Sequence, residues 1–196
     1  VFIYDALERL ENVTKYNAMG EKLAETHFRY DAQGNKILER HEVIHKGKSS
    51  RLFIIQWNYD ACKRLLEVIE GNQEHTKTTR YRYNSYGQID QVIKPDGTIL
   101  FYSYNPDGQL ASFEASDHSF AYKYVYDDLQ RLSAIHDLCH KIVQKRHYNA
   151  FHQLIEEQQG SNLKIQYQYD LAGRRIRMTL PDHSSINYHY RGPLLS

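Results

Sequence analysis

The residues best suited to chemistry in this 196-residue sequence are its eleven histidines and two cysteines. Their densest group is His136, Cys139 and His140, with His147 further along the chain. A structural zinc site needs four such ligands in a fixed geometry, commonly with paired cysteines. Here a lone cysteine lies in a segment typical of a hairpin turn, which favours a solvated turn over a metal site. We therefore predict no metal ligands and no cofactor.

Two pairs of adjacent acidic residues, Asp127-Asp128 and Glu156-Glu157, could in principle serve acid–base catalysis. Neighbouring residues on a strand point to opposite faces, so Glu156 and Glu157 cannot act together on one substrate. Asp127 already belongs to a turn motif. The sequence also lacks a Gly-x-Ser-x-Gly nucleophile elbow and a Gly-x-x-x-x-Gly-Lys phosphate loop. These observations predict that the protein is not an enzyme.

Basic residues cluster at Lys63-Arg64, Arg80–Arg82, Lys145-Arg146 and Arg174–Arg177, and tyrosines lie among them. Such a mixture can bind a polyanion or stack on a glycan. However, the 25 Lys and Arg residues are balanced by 24 Asp and Glu residues, for a formal charge of +1. A nucleic-acid binder is expected to show a clear basic excess. We predict a solvated sheet surface and no nucleic-acid partner, with carbohydrate binding as the alternative.

Tyrosine dominates the aromatic residues, with 17 Tyr against 7 Phe and 1 Trp. Tyrosine favours strands and carries a polar hydroxyl on an apolar ring. The chain has no apolar run of 18 residues, so we expect no transmembrane segment, and no secretory signal is visible in it. Cys62 and Cys139 are too few for a disulfide scaffold, and the sequence leaves open whether they pair.

A tandem repeat organises the chain, because Tyr followed by Asp or Asn recurs nine times. From Tyr83 onward the spacings are 21, 22, 22 and 21 residues, whereas before it they are 12, 14, 29 and 24. The full pattern is Tyr-[Asp/Asn]-x-x-Gly, one or two polar residues, then Leu or Ile. Five units have the glycine, and four replace it, with Glu8, Lys63, Gln130 and His152. The repeat residues singled out are Tyr30, Asp31, Gly34, Tyr83, Asn84, Gly87, Tyr104, Asn105, Gly108, Tyr126, Asp127, Tyr148, Asn149, Tyr169, Asp170 and Gly173.

Each repeat predicts a β-turn, in which the Asp or Asn side chain accepts backbone hydrogen bonds and the Gly takes a left-handed conformation. A turn followed by a left-handed residue closes a hairpin with a bulge. Second turns lie midway between, at Pro95–Gly97, Ser116–His118, Asp137–His140, Gln159–Asn162 and Pro181–Ser184. The segments between turns alternate in polarity, as strands do, and the polar run His45–Ser50 is expected to be a loop. The sequence therefore predicts an all-β fold of consecutive antiparallel hairpins.

These units resemble YD repeats, the tandem motif of bacterial Rhs (rearrangement hotspot) proteins, of the C component of insecticidal toxin complexes and of teneurins. The resemblance covers the whole chain and includes Pro95–Thr98 and Pro181–Ser184, each followed by a Tyr-x-Tyr. It implies a curved, spiralling sheet that forms a segment of a hollow β-shell. In such a strip we expect the repeat tyrosines to stack along neighbouring hairpins, namely Tyr83, Tyr104, Tyr126, Tyr148 and Tyr169. The conserved self-cleavage site of the bacterial family contains an Asp-Pro pair, which this sequence lacks, so no self-cleaving residue is assigned.

The resemblance implies a function as well. We expect a single array over residues 1–196, irregular in 1–80 and regular in 81–196, as a fragment of a larger protein. It would form part of a wall that encapsulates a C-terminal toxin, in a secreted or cell-surface protein. Its partners would then be the remaining repeats of the same chain and the enclosed toxin domain. The alternative is a cell-surface module that binds glycans or a protein on the same repeats.

Overall fold

The computed structural model describes residues 1–45, 48–72, 74–160, 163–191 and 194–195. In those residues every regular element is a β-strand. No helix capable of spanning a membrane is present in the described part of the chain. The chain divides into two compact units, Val1–Leu100 and Phe101–Ser196, and strand β9 (Ile99–Tyr104) runs across the division.

The first unit contains eight strands before β9. They are β1 (Phe2–Tyr4), β2 (Leu10–Tyr16), β3 (Lys22–Tyr30), β4 (Lys36–His45), β5 (Lys48–Tyr59), β6 (Leu65–Gly71), β7 (Thr76–Tyr83) and β8 (Ile89–Ile93). Each strand pairs antiparallel with the next one in the chain. The unit is thus a meander of hairpins.

The second unit repeats this arrangement. Its strands are β10 (Leu110–Ala115), β11 (Ala121–Tyr126), β12 (Leu132–Asp137), β13 (Ile142–Tyr148), β14 (Leu154–Gln159), β15 (Leu163–Tyr169), β16 (Arg175–Thr179) and β17 (Ser185–Asn187). Consecutive strands again pair antiparallel. Two short strands, β18 (Tyr190–Arg191) and β19 (Leu194–Leu195), pair with each other. The predicted all-β class with tandem antiparallel hairpins is confirmed.

Successive turns of an antiparallel meander lie at opposite edges of the sheet. In the first unit, the turns that follow Tyr4, Tyr30, Tyr59 and Tyr83 therefore share one edge, because two strands separate each from the next. The turn after Tyr16 joins β2 to β3 and lies at the other edge. Without Tyr16, the early spacings become 26, 29 and 24 residues. The spacings of the N-terminal repeats thus look irregular partly because they include the turn after Tyr16, which lies at the opposite edge.

The sheets are single layers with little buried core. Only four hydrophobic residues of the described chain, Val92, Leu100, Ala115 and Tyr167, are exposed by 9% or less, and none is fully buried. The chain exposes 13928 Å², whereas a compact monomer of 23.2 kDa exposes about 9,700 Å². Stability must therefore come largely from strand pairing and from contacts between neighbouring hairpins.

The predicted loop at His45–Ser50 is wrong at both ends. His45 pairs with Lys48, and Ile44 pairs with Ser49, so the strands continue into the polar run. Lys46 and Gly47 lie outside the described residues, as do Ser161 and Asn162 of the turn predicted at Gln159–Asn162. The polar residues misled the prediction because pairing between β4 and β5 satisfies the backbone whatever the side chains are.

Candidate functional site

The repeated feature with the most contacts is the turn that follows each Tyr of the nine Tyr-Asp or Tyr-Asn pairs. We call it the tyrosine turn. In the turn at 127–131, the Gln130 N–H donates to the Asp127 carbonyl, and the Asp127 side chain accepts from the Leu129 and Arg131 N–H groups. Gln130 has a φ of 62°. The register shifts by one residue at Tyr126, which marks a bulge beside the turn.

The same backbone recurs in every tyrosine turn, with or without glycine. The five glycines have φ values of 80° to 87°, and the four replacements, Glu8, Lys63, Gln130 and His152, have φ values of 60° to 63°. A side chain in this left-handed region costs about 1–2 kcal/mol relative to glycine. The hydrogen bonds of the Asp or Asn side chain hold the turn in spite of that strain.

A second side chain, four residues after the Asp or Asn, completes each turn. Where the first residue is Asp it pairs with Arg in four turns, as Asp127 does with Arg131 at 2.8 Å. Where it is Asn in the repeats singled out above, it donates to Gln, as Asn149 does to Gln153. Asp31, the fifth aspartate, accepts from Asn35. The two positions therefore vary together, and the pairing of donors with acceptors explains why.

These contacts lower the pKa values of the turn aspartates. The Arg131 guanidinium and backbone N–H, which donate to Asp127, hold the pKa of that carboxyl below its usual value. For Asp170 the hydrogen bond from the Arg174 backbone N–H lowers the pKa most. The hydrogen bond from the Arg174 guanidinium lowers it further. The turn therefore favours the ionised carboxylate over the protonated one.

The arginine of one tyrosine turn also contacts the tyrosine of the next. The guanidinium carbon lies 4.6–4.8 Å from the ring centre in four such pairs, which are Arg9–Tyr30, Arg64–Tyr83, Arg131–Tyr148 and Arg174–Tyr190. This is the geometry of a cation–π contact. Each pair joins two successive hairpins at the same edge of the sheet.

The tyrosine hydroxyl makes the second link between hairpins. It donates to the backbone carbonyl of the first strand residue after the preceding tyrosine turn, at 2.7–3.0 Å. The pairs are Tyr30 to Leu10, Tyr59 to Lys36, Tyr83 to Leu65, Tyr126 to Leu110, Tyr148 to Leu132, Tyr169 to Leu154 and Tyr190 to Arg175. We call this series of hydroxyl and guanidinium contacts the tyrosine ladder.

The ladder differs from the arrangement that the sequence suggested. We expected the repeat tyrosines to stack on one another. In the described second unit, Tyr126, Tyr148 and Tyr169 make no ring–ring contact with each other, because two strands, about 10 Å, separate them. Ring contacts instead join Tyr102, Phe113, Phe120 and Tyr122.

The two faces of the second unit differ in chemistry. One face carries the ladder tyrosines and the cross-strand row Tyr124, Ile135, Gln144, Gln159 and Leu163. We call it the tyrosine face. It includes a hollow of about 310 Å³ lined in part by these residues. The face thus offers a wide surface of aromatic and aliphatic groups.

Three polar side chains on the tyrosine face, those of Arg146, Glu157 and Tyr167, form one cluster of contacts. The Tyr167 hydroxyl donates to Glu157 at 2.9 Å, and Glu157 accepts from Arg146 at 3.1 Å. Burial, together with this carboxylate, raises the pKa of Tyr167. The guanidinium of Arg175 lies 4.1 Å from the Tyr167 ring centre. These groups stabilise the sheet surface.

The opposite face is hydrophilic. Its corresponding row contains Val125, Ala134, Lys145, Gln158 and Lys164. Both lysines are exposed, and Lys164 pairs with Glu156 at 2.8 Å. We call this the polar face. Lys145 and Arg146 are neighbours on one strand, so they point to opposite faces. This basic cluster of the sequence is therefore split between the two faces.

The residues considered for metal binding lie in or beside a turn. Asp137 accepts from the backbone N–H groups of Cys139 and His140, and its second oxygen lies 2.9 Å from His140 Nδ1. The described residues contain no group of three or more potential metal ligands. Cys62 and Cys139 are both free thiols and exposed.

The acidic pairs are also separated by the fold. Glu156 contacts Lys164 and Gln166, whereas Glu157 contacts Arg146 and Tyr167 on the other face. Asp127 belongs to its turn, and Asp128 is exposed. The remaining repeat residues lie in turns of the same kind, with side-chain caps from Asp31, Asn84, Asn105, Asn149 and Asp170.

The sequence analysis assigned no pairing role to the residue four positions after each Asp or Asn. The signal was present, because Arg follows Asp and Gln follows Asn in seven of the eight repeat units outside the turn at Tyr16. What no single repeat reveals is the contact with the next tyrosine, about 20 residues away, which depends on hairpin stacking.

Comparison with solved structures shows the same fold in toxin complexes. A crystal structure of TcdB2-TccC3 without its hypervariable C-terminal region matches 96% of this chain with a TM-score of 0.59 and 12% identity. A TcdB2-TccC3-Cdc42 structure matches 97% with a TM-score of 0.58 and 12% identity. A Photorhabdus luminescens Tc holotoxin pore matches 96% with a TM-score of 0.52 and 12% identity. The chain spans only 13–15% of the matched chains.

A search of curated proteins gave no match. The Teneurin YD-shell family model, by contrast, matches residues 35–193. That range covers most of the chain and includes the tyrosine turns from Tyr59 to Tyr169. The resemblance inferred from the repeats is confirmed, and the chain belongs to the Teneurin YD-shell family.

Proposed function

We propose that this chain is a wall segment of a β-shell and that the complete shell encloses a polypeptide cargo, a C-terminal toxin. The function is containment, by a structural rather than a catalytic mechanism. A closed wall keeps the cargo away from proteases and from its target until the shell opens. The protein would act outside the cell that makes it, as a secreted or surface-exposed assembly.

The observation that carries the proposal is the tyrosine ladder in sheets that have no second layer. Successive hairpins are linked by strand pairing and by hydroxyl bonds such as Tyr148 to Leu132, and four of these links add a cation–π contact such as Arg131 to Tyr148. A hairpin alone is marginally stable, and these links let many hairpins form one continuous surface. That surface separates two sides without a thick core.

The two faces support an inside and an outside. The tyrosine face is amphipathic, and its Glu157 contacts Tyr167 and Arg146, whereas the polar face carries exposed Lys145 and Lys164. We propose that the tyrosine face lines the interior. Apolar groups can contact many different arrangements of side chains, which suits a lining that faces an incompletely folded chain.

The matched structures agree with this proposal at the level of the fold. They are toxin complexes, and one was solved without a hypervariable C-terminal region. A variable segment beside a constant shell is what containment of different cargoes requires. Because this chain spans only 13% of that structure's chain, we extend the cargo to it as part of the proposal.

A binding or adhesion role is the second candidate, supported by the teneurin family match. A glycan-binding version would use tyrosine rings as stacking surfaces. In the ladder, Arg9, Arg64, Arg131 and Arg174 each cover a ring, and the hydroxyls are bonded to carbonyls. This arrangement leaves fewer rings and hydroxyls for a sugar, so we favour containment.

The test uses the full-length native protein. It is digested with a protease under native conditions and then examined by denaturing gel electrophoresis and intact mass spectrometry. Containment predicts a C-terminal piece that stays with the shell and is digested at least tenfold more slowly than after the shell is denatured. An accessible C-terminal region, digested as fast in the native protein as in the denatured one, contradicts containment.

A further inference from the structure

One histidine on the polar face of the second unit has basic residues as its neighbours. His136 on β12 lies directly opposite Lys123 on β11. On its other side, His136 lies opposite Val143 of β13, and Lys145 follows Val143 by two residues on that strand. Strand alternation places Lys145 on the same face, as a diagonal neighbour of His136. We call His136, Lys123 and Lys145 the basic triad.

The two lysines of the triad differ from the other basic residues of these strands, because neither has a partner. Lys123, Lys145 and His136 make no hydrogen bond, ion pair or ring contact in the described part of the chain. Both lysines are exposed, and His136 is half-buried. Each remaining Lys or Arg of the described strands β10–β17 contacts another side chain; the pairs are Arg146 with Glu157, Lys164 with Glu156, Arg175 with Tyr167 and Arg177 with Ser185.

The triad also has no carboxylate beside it on the described strands. Asp137 follows His136 in the chain, but it pairs with Tyr122 and points to the tyrosine face. The acidic residues of the polar face are Glu114 on β10 and Glu156 on β14, and neither strand pairs with β12. A protonated His136 therefore faces like charges, which is unfavourable unless an anion binds among them.

A small tetrahedral oxyanion fits this arrangement. Ala134, opposite Lys145 and two residues before His136, has only a methyl group and leaves room between the longer side chains. Each lysine has a flexible stem and three N–H donors, so both ammonium groups and the imidazole can reach one group above Ala134. A phosphate or sulfate group carries about two negative charges and several acceptor oxygens, so three donors can share it.

The charges around the triad indicate a small ligand rather than a membrane or a long polyanion. Segments that bind anionic membranes carry clusters of about 4–8 Lys or Arg residues. On the polar face Lys164 is already paired with Glu156 at 2.8 Å, and Glu114 lies on the other side of the triad. A long polyanion would meet these two carboxylates, whereas a single phosphate or sulfate group would not.

We propose that the basic triad binds the phosphate or sulfate group of a small soluble molecule and that His136 makes this binding pH-dependent. An imidazole gains a proton as the pH falls from about 8 to about 5, so the affinity rises with acidity. The charged groups that face His136 are Lys123 from β11 and Lys145 from β13. The turn that follows β12 adds Lys141 and His140. The site goes beyond containment, because it lies on the face opposite the proposed interior.

Equilibrium dialysis of radiolabelled sulfate against the full-length native protein tests the proposal, in about 0.1 M sodium chloride to screen distant charges. Sulfate keeps the same charge between about pH 5.5 and about pH 8, so a pH-dependent affinity must come from the protein. We expect severalfold tighter binding at the lower pH in the parent and equal binding at both in His136→Asn. Lys123→Gln and Lys145→Gln should each weaken binding at the lower pH about threefold.

Lys164→Gln is the matched control, because it removes the same charge from the same face but from a lysine that is already paired with Glu156. Its affinity for sulfate should equal that of the parent. Equal effects of Lys145→Gln and Lys164→Gln, a pH dependence that persists in His136→Asn, or no bound sulfate at the lower pH overturns the proposal.

A second arm measures sedimentation of the full-length protein with vesicles that contain phosphatidylserine. We expect no binding that depends on the triad. Vesicle binding that is lost in Lys123→Gln and kept in Lys164→Gln would assign the triad to a membrane surface and overturn the proposal. Neither arm depends on the protease test of containment, because both measure a surface that is present whether or not the wall holds a cargo.

Discussion

The guanidinium carbon of Arg131 lies 4.7 Å from the ring centre of Tyr148, whose hydroxyl donates to the carbonyl of Leu132 at 2.9 Å. One turn therefore holds the next tyrosine at both its ring and its hydroxyl. Arg131 is itself fixed by Asp127 of its own turn. Local turn geometry and hairpin-to-hairpin contact are thus parts of one structure, and each can be tested by substitution.

Removal of a ladder hydroxyl should weaken the contact between two hairpins. Tyr148→Phe deletes the bond to Leu132 but keeps the ring beneath Arg131. We expect a loss of about 1 kcal/mol in the free energy of unfolding, the usual value for one partly buried hydrogen bond. Urea denaturation measures it. Tyr86→Phe is the matched control, because Tyr86 is 89% exposed, and equal effects would contradict a role for the ladder.

Replacing Asp127 and Arg131 together should cost less stability than replacing Asp127 alone. The double variant Asp127→Asn with Arg131→Gln reproduces the pairing of Asn149 with Gln153. Asp127→Asn alone places an amide N–H₂ against the Arg131 guanidinium, donor against donor. We expect the thermal midpoint of the double variant to lie above that of Asp127→Asn but below that of the parent, because the cation–π contact of Arg131 with Tyr148 is lost. A double variant less stable than this single variant would show that the two positions are not coupled.

Glycine should stabilise a tyrosine turn in which a residue with a side chain now has the left-handed conformation. Gln130 has a φ of 62°, so Gln130→Gly removes strain of about 1 kcal/mol. We expect the variant to be as stable as the parent or up to that amount more stable, measured by chemical denaturation. Clear destabilisation would mean that the turn after Tyr126 differs from those that contain glycine.

Two glycines of the first unit should respond very differently to alanine. At Gly34, with a φ of 87°, a Cβ would have nothing within 4 Å, so Gly34→Ala costs only the backbone strain of about 1 kcal/mol. At Gly71 a Cβ would lie 2.1 Å from the His75 carbonyl oxygen, so the turn must move. We expect Gly71→Ala to be the more destabilising by more than 1 kcal/mol. Similar melting temperatures for the two variants would contradict the described turn.

Acid should weaken the hairpin that contains Glu25. Hydrogen bonds from Lys22 and then Asn12 lower the pKa of Glu25 from 4.5 to about 2. Because the folded state favours the ionised carboxylate, its contribution is complete above pH 4.5 and is lost as the pH falls toward 2. Glu25→Gln should reduce the loss of stability between pH 5 and pH 2.5 by on the order of 1–3 kcal/mol. An unchanged acid dependence in that variant would contradict the assignment.

The sequence predicted what depends on local chemistry. Asn105 and Gly108 predict a turn because an Asx side chain and a left-handed glycine act within five residues. Strand alternation at Ile165 and Tyr167 likewise predicted which side chains are more buried. Family membership also followed from the repeats, because nine similar turns specify one architecture.

The sequence did not predict contacts that depend on the stacked hairpins. The cation–π contact of Arg131 with Tyr148 needs the strand register and the bulge at Tyr148. The turn after Tyr16 has the repeat motif, but its edge follows from the number of strands before it. The polarity of His45 and Lys48 predicted a loop, but the backbones of the two residues pair between β4 and β5.

The most direct test of the account joins the ladder to containment in one measurement. It compares protease digestion of the cargo in the full-length parent protein and in the triple variant Tyr126→Phe, Tyr148→Phe and Tyr169→Phe, with Tyr86→Phe as the control. We predict a protected cargo in the parent and the control, and digestion at least severalfold faster in the triple variant. A cargo that is equally protected in all three proteins, or unprotected in the parent, would contradict a wall held together by the tyrosine ladder.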